Sequence, residues 1–283
     1  MAKAKEFDFK DSDFQRIREL VKELTGINLS EQKRDMVYSR LARRIRDVGL
    51  GSFADYLDLL GQAENDEIGN FVNAITTNLT SFFREQHHFD YLAKTVIPYL
   101  CQQRQHERRI RVWSAGCSTG EEPYSLAMTF AEHMPVNENW DLKILATDLD
   151  TNVIATARAG LYAEERMTGV SNMRIKKWFL KGRGEHDGYL KVRPELQKMI
   201  TFKQLNLMGD WPMKGQFDVI FCRNVVIYFD KPTQAVLFDR YANILKDDGT
   251  LFVGHSESLF KVTKRFELIG HTTYKKSESV THG

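Results

Sequence analysis

The chain has 283 residues, 42% of them hydrophobic, and a formal net charge of +2 at pH 7. That length suffices for one well-buried core with a smaller module beside it, since domains cluster near ~100–150 residues. The near-neutral balance excludes the broad basic field of a protein that grips nucleic acid along a whole surface, so any charged partner is met by a local patch.

The opening "MAKAKEFDFKDSDF" lacks the apolar core of a signal peptide, and no uncharged run approaches the ~20 residues of a membrane span. A soluble, cytoplasmic protein is expected. Cys101, Cys117 and Cys222 are scattered without a C-x-x-C. They read as free thiols in a reducing compartment, with no disulfide framework or zinc knuckle. Phe14, Ile17, Val21 and Leu24 recur at helical spacing, and Gly26 ends that helix. A second helix opens after Ser30, lines up Val37, Leu41, Ile45 and Val48, and closes at Gly49 and Gly51. "SFADYLDLL" and "EIGNFVNAITTNL" continue the helical pattern, so residues 1–76 are expected to form a small all-helical domain. A linker, 77–90, follows.

From Arg109 the texture changes to short apolar runs separated by amphipathic stretches: "IRVWSAG", "LKILATDL", "MITFKQLN", "FDVIFCRNVVIYF" and "TLFVGHSES". Helices are expected at 122–133, 150–159 and 232–245, the last supported by Pro232 at its start and Gly249 past its end. This alternation predicts an α/β fold over 91–283, a doubly wound and mostly parallel sheet. The tail, "FELIGHTTYKK", adds one antiparallel last strand. Residues 160–198 are too long for an ordinary crossover, and their alternation around a glycine turn predicts a small inserted antiparallel hairpin.

In such a sheet the ligand sits at the carboxyl ends of the strands, where strand order reverses. "WSAGCSTGEEPYSLA", 113–127, is that point. A dinucleotide loop needs G-x-G-x-x-G so that its backbone can approach a pyrophosphate. Here only Gly116 and Gly120 are present, and Glu121 and Glu122 would repel phosphate. An adenosine with a cationic end resolves the conflict, and S-adenosylmethionine is such a ligand. Glu121, closer to the turn, is expected to touch it, whereas Glu122 reads as an acid complementing the helix dipole. Asp148, at the end of the second strand, stands where a ribose diol is held, a placement shared by both cofactor classes.

"WSAGCSTGEEPYSLAM", "NLTSFFRE", "LATDLD", "QLNL" and "FCRNVVIYF", in this order, closely resemble the bacterial chemotaxis receptor methyltransferases, the CheR family. The resemblance covers nearly the whole chain. It implies methyl transfer from S-adenosylmethionine to receptor glutamates, leaving S-adenosylhomocysteine, on an α/β methyltransferase fold. It also implies that Asn78 and Thr80 contact the cofactor and that Arg84 lies at the active site, while 77–90 contributes to that site. Thr80 or Ser81 would otherwise read as the cap of a helix ending near Tyr99. A guanidinium at Arg84 can hold an incoming carboxylate in a fixed fork. By the same resemblance Asn206 and Leu207 bind adenine, Arg223 and Asn224 meet the cofactor, and Tyr228 lies near the methyl group. A tyrosine face stabilises a sulfonium by ~0.5–2 kcal/mol, or its hydroxyl positions the glutamate.

Ester formation on a carboxylate needs no general base, because the nucleophile is already ionised at neutral pH. The sequence accordingly shows no G-x-S-x-G elbow and no H-E-x-x-H, and "GHSES" at 254–258 lacks the spacing of a nucleophilic serine turn. No metal is expected, with His87 and His88 read as surface residues. Cys117 has no evident base beside it and reads as a small residue in a tight turn. The second helix carries Lys33, Arg40, Arg43 and Arg44, a basic face that the resemblance assigns to docking a helical receptor domain. The hairpin glycines Gly182, Gly184 and Gly188 are spaced as in family members that hold a receptor C-terminal peptide by β-augmentation. A monomer without nucleic-acid binding or membrane insertion is expected. The alternatives are a nucleic-acid methyltransferase, whose base-flipping loop is missing after "FDVIFCRN", and a catalytically silent receptor-binding adaptor.

Overall fold

The computed structural model describes residues 6–62, 66–135 and 138–277. Helix α1 (Asp11–Thr25) ends where Gly26 turns left-handed and returns its N–H to the Lys22 carbonyl at 2.8 Å. Ser30 opens a 3-10 turn, Glu31–Lys33, and its hydroxyl caps nothing; α2 (Arg34–Asp47) follows. Ser52 caps α3 (Phe53–Leu60) by accepting the Asp55 N–H, and α4 (Glu67–Ile75) completes the bundle. Phe14, Ile17, Val21, Val37, Leu41, Ile45, Phe53, Tyr56 and Phe71 bury their stripes in one common core. Burial of that kind stabilises by about 1.5–3 kcal/mol per large side chain.

The next helix starts later than expected. Phe83 and Glu85 have φ of 53° and 57°, so Thr80 and Ser81 lie in an irregular segment and α5 (Gln86–Tyr91) begins beyond them. A π-turn (Leu92–Val96) then leads into α6 (Ile97–Gln103), which runs past Tyr99. Pro98 explains the wide turn: it has no N–H, and its ring would strike the carbonyl four residues back in an ordinary helix.

The second module is built from β1 (Arg109–Ala115), α7 (Glu121–His133), β2 (Asp141–Asp148) and α8 (Thr151–Ala159). The inserted segment contributes β3 (Leu161–Ala163), α9 (Asn172–Trp178), β4 (Phe179–Lys181), β5 (Tyr189–Val192) and the short α10 (Pro194–Gln197). Then come β6 (Ile200–Gln204), β7 (Phe217–Cys222), α11 (Lys231–Ile244), β8 (Leu245–Val253), β9 (Phe266–Gly270) and β10 (Thr273–Lys276). The seven-stranded sheet has the order β6-β2-β1-β7-β8-β10-β9. Its first five strands are parallel, with Trp113 opposite Leu145 on one side and Ile220 on the other. Alternate residues feed a core on each face: Ile110, Val112 and Phe221 on one, Trp113, Ala115 and Ile220 on the other.

Three details differ from the sequence reading. The tail forms two strands; β10 lies between β8 and β9 and is antiparallel to both. The insert is the expected small antiparallel β-subdomain, but with three strands, β3-β5-β4, instead of the two of a hairpin. Gly249 does not end α11 but lies inside β8, where a Cβ would stand 2.7 Å from Leu245 Cδ1.

The helical module is tied to the sheet module near the strand ends. Asn28 donates its N–H to the Tyr228 carbonyl at 2.8 Å, Ile27 bridges to Phe229, and Lys22 pairs with Asp230 at 2.9 Å. Asn73 exchanges hydrogen bonds with Thr151 at the start of α8.

Candidate functional site: a cavity between the helical module and the strand ends

Strand order turns back between β1 and β7, and a cavity of about 530 Å³ opens at the carboxyl ends of β1, β2 and β7. The helical module roofs it with Ile27, Ser30, Lys33 and Met36, and the segment 75–81 with Arg84 forms one side. The floor is the β1–α7 loop. Gly116 has φ +86°, and a Cβ there would lie 2.3 Å from Val225 Cγ2, so only glycine lets the loops after β1 and β7 approach this closely. Asp148 lines the cavity with its Oδ2 accepting the Ser118 N–H at 2.8 Å and Oδ1 the Asp150 N–H at 3.0 Å. Burial pushes its carboxyl above the usual range, opposed by these N–H groups.

The two acids of α7 have exchanged their expected places. Glu121 is fully buried and lies off the cavity, its carboxylate taken by Arg166 and by the Thr119 hydroxyl. Glu122 lines the cavity, accepts the Ser114 hydroxyl at 2.7 Å and pairs with Arg223 at 3.1 Å. Glu121 is turned toward the inserted segment, where Arg166 meets it. Burial raises the Glu122 carboxyl, against the pull of Arg223.

Arg223, only 6% exposed, also reaches Glu85 Oε2 at 3.2 Å and the Arg84 carbonyl. Burial works against the Glu85 charge, but His255 and Arg223 outweigh it and hold its carboxyl down at about 2. His88 is no surface residue: it is fully buried, with Nε2 3.0 Å from the His271 carbonyl and from the Thr272 hydroxyl. Burial, then Arg223, lowers it to about 3. His87 is exposed as expected. Ligating atoms of Glu85, His87 and His88 lie within 4.8 Å of one another, yet the Arg223 guanidinium already supplies the positive charge that Glu85 faces.

The remaining candidates all border the cavity: Asn78, Thr80, Arg84, Asn206, Leu207, Asn224 and Tyr228. Several of them already hydrogen-bond to the protein. Asn78 donates its amide to Asp150 Oδ2 at 2.7 Å. Asn206 donates to the Leu24 carbonyl at 2.7 Å and accepts the Met208 N–H, so its amide braces the wall and keeps one N–H and one lone pair for a ligand. Arg84 donates to the Leu79 carbonyl at 2.9 Å. The buried Cys117 thiol is pushed well up, as suits a turn residue and not a nucleophile.

Set beside known proteins, residues 78–275 match the family "CheR methyltransferase, SAM binding domain", and residues 12–76 match "CheR methyltransferase, all-alpha domain". The chain belongs to the CheR methyltransferase family. It is 46% identical over 270 residues to chemotaxis protein methyltransferase 2 of Pseudomonas aeruginosa, covering 95% of this chain and 94% of that protein. It is 44% identical over 271 residues to the chemotaxis protein methyltransferase of Escherichia coli, covering 95% and 92%. A third relative, from Borreliella burgdorferi, is 39% identical over 270 residues, 94% of each chain.

In this CheR-family chain the expected basic face of α2 is divided. Lys33, which lies in the 3-10 turn ahead of α2 and not on the helix as expected, and Arg43 are exposed, and Lys33 stands at the cavity. Arg40 instead donates to the carbonyls of Ala74, Ile75 and Thr76 at the end of α4, at 3.3, 2.8 and 2.6 Å. Arg44 forms a fork on the buried Glu67 at 2.8 and 2.7 Å, where Tyr56 also donates. Both serve the inside of the helical module. Sequence reasoning missed Glu85, Asp150 and Glu257. A capping signal marked Asp150, whose side chain accepts the Asn152 N–H at the start of α8; Glu85 and Glu257 lie inside "NLTSFFRE" and "GHSES", but nothing in those stretches pointed to their partners.

Proposed function

We propose that the protein transfers the methyl group of S-adenosylmethionine to glutamate side chains of chemotaxis receptors, forming methyl esters and S-adenosylhomocysteine. The observation that carries this reading is the cavity at the strand ends, where the Asp148 carboxylate stands beside apolar Leu149 and Leu207 within the segment that matches the family's SAM binding domain. Asp148 retains lone pairs for a ribose diol beyond its two N–H partners. Leu207 and Leu149 offer apolar cover for a base. When bound, S-adenosylmethionine supplies a methyl on a positively charged sulfur that leaves as a neutral thioether.

The acceptor carboxylate is ionised at neutral pH, so the protein's task is alignment. Arg84 at the cavity wall holds the incoming carboxylate, and Tyr228 borders the methyl position from the loop after β7. Lys33 and Arg43 draw an acidic helical segment toward the mouth. The outer edges of β3 and β4 offer a place for an extended receptor peptide near Gly182, Gly184 and Gly188. Among the described residues no helix is long and apolar enough to cross a membrane. The protein acts from the cytoplasm on the receptors' cytoplasmic helices, as a monomer and without nucleic acid or a metal.

Incubation with methyl-labelled S-adenosylmethionine, receptor-rich membranes and, separately, nucleic acid tests this reading. Receptor label released by mild base as methanol is expected. Label on nucleic acid, or on nothing, overturns it.

A further inference from the structure

Glu257 belongs to "GHSES", a stretch the chemistry above leaves unused. Its carboxylate is buried, with the residue only 4% exposed. Buried carboxylates are ordinarily paired with a cation. Among the described residues none lies within ion-pair reach of Glu257. Its partners are backbone N–H groups: Oε2 accepts from Asn224 at 2.9 Å and Gly254 at 2.6 Å, and Oε1 accepts from Ile227 at 3.3 Å. These donors come from two segments, the loop after β7 and the end of β8.

The loop after β7 presents Arg223, Asn224 and Tyr228 to the cavity, and it is held in an uncommon shape, with Asn224 at φ 59°. The N–H groups of Asn224 and Ile227, on either side of that turn, both point to the Glu257 oxygens, which fill the concavity they form. Gly254 permits the approach, since a Cβ there would lie 2.6 Å from Asn224 Nδ2 and 2.9 Å from Glu257 Oε2. Glu257 itself does not line the cavity. We infer that Glu257 is a positioning residue for methyl transfer, an internal anion whose carboxylate fixes the 224–227 backbone so that Asn224 and Tyr228 face the bound substrates.

A carboxylate offers acceptors on both oxygens, whereas a carboxamide turns one of them into a donor facing N–H groups. The charge is therefore part of the device. Burial pushes the Glu257 carboxyl up against the pull of its N–H partners. The titratable groups that face it, Cys222 on β7 and Tyr241 on α11, are both pushed well up by burial and stay neutral near pH 7.

The inference rests on the methyltransferase reading, and the test separates the two. Glu257→Gln and Glu257→Asp are compared with wild type in turnover, KM for S-adenosylmethionine, product binding by calorimetry, and melting temperature. A core variant, Phe266→Leu, controls for lost stability. In Glu257→Gln, kcat is expected to fall roughly ten- to a hundredfold, the scale of a small misplacement of reacting groups, while product binding changes far less. Glu257→Asp, which keeps two acceptor oxygens, is expected to recover part of the turnover. Should Glu257→Gln fail to fold, Gly254→Ala perturbs the same contact and carries the same expectation. Unchanged kinetics in a folded variant, or a loss matched by Phe266→Leu at equal destabilisation, overturns the positioning role. If wild type neither binds the product nor transfers methyl, it is the functional reading that fails.

Discussion

Arg223 lies between two carboxylates, Glu85 at 3.2 Å and Glu122 at 3.1 Å, with the rings of Phe89 and Phe221 beneath it. This arrangement separates residues that hold the wall from residues free to meet substrate. Arg84, whose backbone carbonyl Arg223 binds, turns its own side chain to the cavity. Arg84→Ala is therefore expected to lower turnover by roughly a hundredfold, the cost of losing an oriented charge at the reacting centre, while product binding in calorimetry survives. If binding disappears in step with turnover, the arginine retains the cofactor instead. His88 sets a pH dependence. Its folded value, about 3, lies below the ordinary 6.5, so the unfolded chain binds the extra proton between them. The stability it contributes is complete above about 6.5 and is lost as pH falls toward 3; denaturant midpoints measured from pH 7.5 to 5 should decline, and less so in His88→Gln. At this scale the sequence and the family resemblance pointed to most residues that border the cavity, but not to their partners, and Glu121 and Glu122 were assigned the wrong way round. The exchange between Glu121 and Glu122 was decided by Arg166, 45 positions away, which no local spacing encodes.

The β1–α7 turn and the loop after β7 act as one element because they touch at Gly116 and Val225. A methyl at position 116 would force Val225 aside, and alanine at φ +86° is itself strained by about 1–2 kcal/mol. Gly116→Ala should weaken S-adenosylhomocysteine binding at least about tenfold, since both loops line the cavity. An unchanged affinity would mean that this approach is not needed by the ligand. Elements with strong periodicity were legible. The apolar runs of β1, β2, β6, β7 and β8 and the stripe of α1 stand out, because burial on two faces or one imposes its own spacing. The irregular elements were hidden. The β9–β10 turn is only His271 and Thr272, with Thr272 and not Gly270 taking the left-handed position at φ 47°, so the one glycine in the tail did not mark where the chain reverses. The start of α5 was displaced by left-handed Phe83 and Glu85, again non-glycine.

Across the whole molecule, the change of texture near Arg109 was enough to reveal a helical module followed by a doubly wound sheet. How the two meet was not, because contacts such as Asn206 to Leu24 and Asn28 to Tyr228 join positions some two hundred residues apart. Those contacts make the cavity a property of the intact chain, with Lys33 and Met36 in its roof and Asp148 and Glu122 in its walls. The family's SAM binding domain supplies most of that cavity's lining, which points to a sulfonium nucleoside and not to a pyrophosphate-bridged dinucleotide. Titration calorimetry on the full chain compares the two directly, with S-adenosylmethionine in one syringe and NADH in another. Saturable one-site heat from the sulfonium nucleoside and none from NADH is the result expected here; binding of NADH with no response to S-adenosylmethionine would contradict it.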